Sequence, residues 1–180
     1  MNLNLNLTLR HMTLSDVDDY MVWATDEKSA HYCSYDAFKS KADVIKYMEE
    51  VILPHPWLRA ICIDDKPVGC VSVSPNKRPS DQCRAEIGYV LGSAYWGKGI
   101  ATRAVKMAVV EVFGYWKDVK RIEGLVDVMN VGSQRVLEKA GFCKEGVLKK
   151  FAMMKGRCVD MVIYSILASD DDLPNVVVIQ

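Results

Sequence analysis

The chain opens on strict alternation. Leu3, Leu5, Leu7 and Leu9 are separated by polar residues, and this period of two predicts a first strand with one buried face. The segment lacks the basic start and apolar block of a signal peptide. Ser15 predicts a cap for a helix over Asp16 to Ala24. A second helix is expected near Lys41 to Val51, stopped by Pro54 and Pro56. Trp57 to Ile63 and Val68 to Ser74 read as strands around the turn Asp64-Asp65-Lys66-Pro67. After a polar loop from Asn76 to Asp81, Arg84 to Leu91 reads as another strand. Ala101, Ala104, Val105, Ala108 and Val112 form the apolar stripe of a helix over Ile100 to Phe113. Arg121 to Val128 reads as a strand, and Val131 to Ala140 as a helix ended by Gly141. Phe142 to Phe151 and Val159 to Leu167 are the last two strands, turning at Lys155-Gly156. The pattern predicts one α+β domain over 1–168 and a mobile tail over 169–180, where Val176 to Ile179 offers an extra strand.

Composition narrows the partners. The chain has 180 residues, 50% of them hydrophobic, with 23 Lys and Arg against 23 Asp and Glu. That balance gives no sign of a nucleic-acid or membrane-surface partner, and no apolar run is long enough to span a bilayer. The six cysteines form no C-x-x-C pair and the three histidines are far apart, so no metal site is expected. The expectation is reduced, mostly buried thiols in an intracellular protein, placed in the cytoplasm with the nucleus also open.

The informative stretch is GSAYWGKGIAT, Gly92 to Thr102. It nearly spells a P-loop, but Gly99 stands where the magnesium-binding Ser or Thr belongs, and Tyr95 and Trp96 are bulky for a phosphate nest. A dinucleotide fingerprint fails too: Thr102 replaces the third glycine, and Asp118 precedes the next strand. A third reading fits better. A strand, closely spaced glycines and a long apolar helix make an anion site from backbone N–H groups alone, and a pyrophosphate suits it without a metal.

With these residues the sequence resembles the GNAT superfamily of N-acetyltransferases, whose acetyl-CoA loop reads Q/R-x-x-G-x-G/A. The matching residues are Trp96-Gly97-Lys98-Gly99-Ile100-Ala101, with Trp in place of Gln or Arg. EIGYVLGSAYWGKGIAT, Asn130-Val131-Gly132-Ser133, VLEKAGF and GRCVDMVIYSIL together resemble the RimJ/RimL branch, most clearly between Glu86 and Leu167. The resemblance implies a mixed, mostly antiparallel seven-stranded sheet with splayed central strands, flanked by about four helices. It implies that main-chain groups of Tyr89, Val90 and Leu91 bind the pantetheine arm, and that Gly97, Lys98, Gly99, Ile100, Ala101 and Thr102 bind the pyrophosphate.

Transfer from a thioester to an amine needs a neutral amine, a stabilised carbonyl oxygen and a tolerated thiolate. By resemblance, Asn130 contacts the CoA arm and Ser133 donates to the thiolate. On the residues alone, Asn130 is equally a helix cap and Ser133 a first-turn polar residue. Glu86 is either the base, directly or through water, or a solvated strand carboxylate. Asp127 and Asp160 are weaker candidates for the base, and Asp160 among apolar neighbours also suits a structural acceptor. Tyr89 and Tyr164 are either proton donors or core tyrosines. Lys98 either attracts a CoA phosphate or is a solvated loop charge.

The function so implied is acetyl-CoA-dependent N-acetylation of a primary amine, foremost a protein N-terminal α-amine, by direct attack in a ternary complex. The alternatives are a small amine or polyamine as acceptor, and a non-catalytic CoA-binding regulator. A monomer or a homodimer is expected. Tyr32, Tyr35 and Phe38, between the first two predicted helices, either line an acceptor pocket or pack.

Overall fold

A computed structural model of the chain describes residues 6–168, so Leu3, Leu5 and the tail lie outside the described residues. Among the described residues there are seven strands: β1 Leu7–Arg10, β2 Leu58–Ile63, β3 Lys66–Pro75, β4 Arg84–Leu91, β5 Arg121–Asp127, β6 Cys143–Met154 and β7 Arg157–Leu167. The α-helices are α1 Val17–Ala24, α2 Glu27–Ala30, α3 Lys41–Tyr47, α4 Ile100–Tyr115 and α5 Val131–Ala140. The strands are hydrogen-bonded in the order β1-β2-β3-β4-β5-β7-β6. β4 and β5 are parallel, and their register pairs Arg84, Ala85 and Glu86 with Arg121, Ile122 and Glu123. Beyond that register β4 continues to Leu91 and β5 to Asp127. The expected mixed, mostly antiparallel α+β sheet is therefore present, with five α-helices among the described residues where about four were expected.

The chain forms two compact units: residues up to Ser72 with Tyr89–Ala104, and Val73–Gly88 with residues from Val105 on. In the first, Tyr20, Trp23, Val44, Met48 and Ala60 centre the core. The helix start near Ser15 needs correction. A 3₁₀ turn over Leu14–Asp16 precedes α1, and the Asp16 carboxylate accepts the Thr13 N–H at 2.9 Å. Arg10 draws Asp16 into that role, with its guanidinium 2.9 and 2.8 Å from the two oxygens. Helix α2 has no counterpart in the sequence reading, because four residues carry no periodic signal. Helix α3 starts on the Ser40 cap and runs on as a π turn over Met48–Ile52. The β2–β3 turn is tighter than expected. Asp64 and Asp65 both take positive φ (49° and 65°), which Asp tolerates, and this returns Lys66 and Pro67 to β3. A Cβ on Gly69 would stand 2.3 Å from the Val90 carbonyl oxygen, so the close approach of β3 to the end of β4 requires glycine.

The second unit packs α5 on β5, where a Cβ on Gly124 would meet Leu137 at 2.7 Å. Gly141, at φ 100°, ends α5 as its position predicts. The Phe142 N–H donates to the Leu137 carbonyl and the Gly141 N–H to that of Glu138, a Schellman closure that takes Phe142 out of the strand expected there. The β6–β7 turn uses Lys155 and Gly156, both at positive φ. Both strands run further toward that turn than expected, because an irregularity between Leu148 and Ala152 is absorbed within β6. Lys150, at φ 51°, donates its N–H to Asp160 Oδ1 at 2.7 Å, so Asp160 acts as the structural acceptor that pins this irregularity.

The expectation of mostly buried thiols needs a second correction. Cys62 and Cys70 are buried and Cys33 is half-buried, whereas Cys83, Cys143 and Cys158 are exposed. The last two stand on solvent-facing positions of β6 and β7, where periodicity gave no indication of the outer face. Among the described residues no helix is long and apolar enough to cross a membrane. None of their His, Cys, Asp and Glu side chains gather in a group suited to a metal.

Candidate functional site

In the first unit the loop after β4 is built around two left-handed glycines, Gly97 at φ 73° and Gly99 at φ 74°. A Cβ on either would meet nothing within 4 Å, so the main chain there is open to a ligand. The first helical bond of α4 runs from the Arg103 N–H to the Gly99 carbonyl. The N–H groups of Ile100, Ala101 and Thr102 therefore precede any intrahelical acceptor, at the positive end of a helix of 16 residues.

Side chains hold this loop in shape. The Trp96 indole N–H donates to the Leu91 carbonyl at 2.7 Å. Gln and Arg, usual at that position of the motif, also carry N–H donors, so the Trp keeps the donor while changing the residue. Lys98 turns back on the loop, donating to the Ala94 carbonyl at 2.9 Å with its ammonium 5.4 Å from the Tyr95 ring centre. The Ser29 hydroxyl accepts the Ser93 N–H at 2.9 Å and donates to Asp26 at 2.7 Å. Hydrogen bonds from the Ser93 hydroxyl first and Ser29 second bring the Asp26 carboxyl down to about 2. Sequence reasoning missed Asp26 and Ser29, because Ser29 lies 64 residues from its partner Ser93 and carries no local signal.

Tyr89 and Val90 are half-buried and Leu91 is buried. The Leu91 carbonyl already accepts from Trp96 and stands 3.5 Å from the Ser29 hydroxyl. A shallow depression of about 360 Å³ is lined by Glu27, Lys28, His31, Tyr32 and Trp96. Tyr35 and Phe38, in contrast, pack with Tyr47 at ring separations of 5.1 to 5.5 Å. The three aromatics left open by the sequence thus divide: Tyr32 lines the depression, and the other two pack.

In the second unit Asn130 caps α5, its Oδ1 accepting the Ser133 N–H at 3.0 Å. The structure thus brings these two residues together at one helix start, both half-buried. Asp127 caps its own turn by accepting the Met129 N–H at 2.8 Å. Tyr164 is fully buried and its hydroxyl donates to Glu138 at 3.1 Å, as suits a core tyrosine. Glu86 reaches solvent within a dense shell of protein. Desolvation by that shell first, and the Glu123 carboxylate second, hold its carboxyl above the ordinary range. Glu123 itself is buried between Arg84 at 3.2 Å and Arg121 at 2.6 Å. This charge cluster also went unseen in the sequence, since its members are spread over two strands.

Residues 6–143 match the family model of the acetyltransferase (GNAT) domain. The chain belongs to the GNAT acetyltransferase family. It is therefore an acyltransferase of the N-acetyltransferase type, as the relatives it resembles are also named. Over 168 residues it is 32% identical to an uncharacterized N-acetyltransferase, p20, of Bacillus licheniformis, spanning 89% of this chain and 92% of the relative. The solved structure of the microcin C7 self-immunity acetyltransferase MccE, in complex with acetyl-CoA and AMP, superposes with a TM-score of 0.78 at 26% identity, covering 89% and 92% of the two chains. The fold is also that of RimL, the ribosomal L7/L12 α-N-protein acetyltransferase, at a TM-score of 0.76 and 23% identity over 89% of this chain and 93% of that one.

Proposed function

We propose that this acetyltransferase, as a single domain over 1–168, moves an acetyl group from acetyl-CoA to a primary amine, foremost a protein N-terminal α-amine, by direct attack. The observation that carries the reading is the open main chain at Gly97 and Gly99 leading into α4. Its N–H groups fit a diphosphate, and the acetyl-CoA complex of MccE supports that ligand. Bound acetyl-CoA supplies an activated thioester carbonyl. The N–H groups from Gly97 to Thr102 hold the diphosphate, and main-chain groups of Tyr89, Val90 and Leu91 hold the pantetheine arm. Asn130 steadies the arm while its Oδ1 caps α5. Glu86 takes a proton from the amine, directly or through water, and Ser133 donates to the sulfur. A carbon–nitrogen bond forms, the carbon–sulfur bond breaks, and the thiolate leaves with the Ser133 hydrogen bond. The RimJ/RimL-like motifs between Glu86 and Leu167 favour the α-amine acceptor.

The test has two stages. Acetyl-CoA at a hundredfold excess over its dissociation constant contributes about 2.7 kcal/mol to stability, a rise of a few degrees in Tm. Stabilisation by magnesium-ATP and not by acetyl-CoA would overturn the loop assignment. Thiol release is then read with peptides of varied N-termini and a panel of small amines. Turnover on peptides alone supports the α-amine reading and turnover on small amines alone replaces it. No turnover on any acceptor, with binding intact, points to a regulator.

A further inference from the structure

We propose that Glu123, clamped by Arg84 and Arg121, is a positioning residue that sets the protonation of Glu86; the inference rests on reading Glu86 as the base. Glu86 and Glu123 form the last pair in the parallel register of β4 and β5. Partners in a parallel ladder share a face, so the two carboxylates stand side by side. Their circumstances differ. Glu123 is 8% exposed and accepts from Arg84 Nη1 at 3.2 and 3.3 Å and from Arg121 Nε at 2.6 Å. Arg121 is itself held by Glu145 at 2.7 Å, and Glu145 accepts the Ser165 hydroxyl at 2.6 Å. The clamp is thus anchored on β5, β6 and β7. Glu86 is exposed and makes no ion pair among the described residues.

A network that served stability alone gains nothing from a second, unpaired carboxylate beside the buried one, because like charges repel. What the arrangement does is hold a fixed negative charge next to an acid that is open to water. The ionisable groups that surround Glu86 on these strands are Arg84 on β4 and Arg121 and Glu123 on β5. On β3, whose end meets β4 through the bond from the Asn76 N–H to the Arg84 carbonyl, Val73 to Asn76 carry no ionisable group. The direction in which Glu86 is held, upward through desolvation and then Glu123, agrees with this geometry. A base held higher accepts the amine proton more readily at neutral pH. Arg84 and Arg121 partly neutralise Glu123, so that Glu86 remains ionised enough to act.

The experiment reads the Glu86 carboxyl directly, by ¹³C NMR titration of the full chain without acetyl-CoA, with the resonance assigned through Glu86→Gln. In parallel the pH profile of kcat/KM is recorded with the best acceptor. Glu123→Gln keeps the shape and removes the charge. It should lower the Glu86 midpoint and the acid limb of the profile together, by about half to one pH unit. Arg84→Gln leaves Glu123 less neutralised and should move both upward; a loss of mere structural support would not give opposite signs. An unmoved midpoint in a Glu123→Gln protein that melts as the parent does overturns the proposal. If Glu123→Gln does not fold, Arg84→Gln carries the test, since Arg84 is partly exposed, and a midpoint that stays or falls overturns it. If the midpoint moves in NMR while the acid limb stays, the coupling stands and Glu86 is not the base.

Discussion

The loop after β4 and the charged pair on β4 and β5 solve opposite problems. The loop offers main-chain N–H groups to the proposed diphosphate, with side chains such as Trp96, Lys98 and Ser29 turned inward to hold the shape. The proposed base at Glu86 and its neighbour Glu123 work through side chains, with the backbone register supplying only their proximity. A backbone site is hard to remove by shortening a side chain and easy to destroy by adding one. A side-chain site behaves the other way round. Mutations therefore sort the two regions.

The largest effect is expected at Gly99. Valine there blocks the approach of a phosphate and meets a backbone at φ 74° that β-branched residues avoid. Losing two or three charge-assisted hydrogen bonds lowers CoA affinity on the order of a hundredfold or more. Calorimetry checks this, with the melting temperature without CoA separating local strain from lost contacts. A loss equal to that of Lys98→Ala would show that side chains make the anion site.

Ser133→Ala comes next. A donor to a leaving thiolate acts chiefly in the transition state, so kcat should fall about tenfold, the low end for such groups, with CoA affinity nearly unchanged. Steady-state kinetics and calorimetry together decide it. Normal turnover would reduce Ser133 to a first-turn residue on the Asn130 cap, and a joint fall would make it a binding residue.

Lys98→Ala should be the mildest. The ammonium is spent on the Ala94 carbonyl and the Tyr95 face, and a loop charge is screened, so CoA affinity should fall by only a few-fold at physiological salt. The loss should shrink further when salt is raised. A large, salt-independent loss would move Lys98 into the binding site.

The same contrast explains what the sequence disclosed. Alternation located the first strand and helical spacing the long α4, because each buries one face, while the inner strands were legible as apolar runs bounded by turn residues. The glycine spacing from Gly97 to Gly99 was legible because a backbone site needs particular residues in a row. Helix α2 and the 3₁₀ start before α1 were not, since their cause lies in Asp26, Ser29 and the Arg10–Asp16 pair rather than in periodicity. The Arg84–Glu123–Arg121–Glu145 cluster was invisible for the same reason: register, which joins residues far apart in the chain, is not written in any local spacing.

The Trp96 bond to Leu91 has an optical consequence. Trp23 and Trp57 are 2% and 1% exposed, so both are closed to solvent, whereas Trp96 is 48% exposed with its indole N–H tied to the strand end. A ligand that settles on the loop dries or shifts one half-wet indole against two sealed ones and the half-buried Trp116, whose emission Trp116→Phe removes. The chain thus carries its own fluorescent gauge of occupancy, placed by the residue that departs from the family's usual motif.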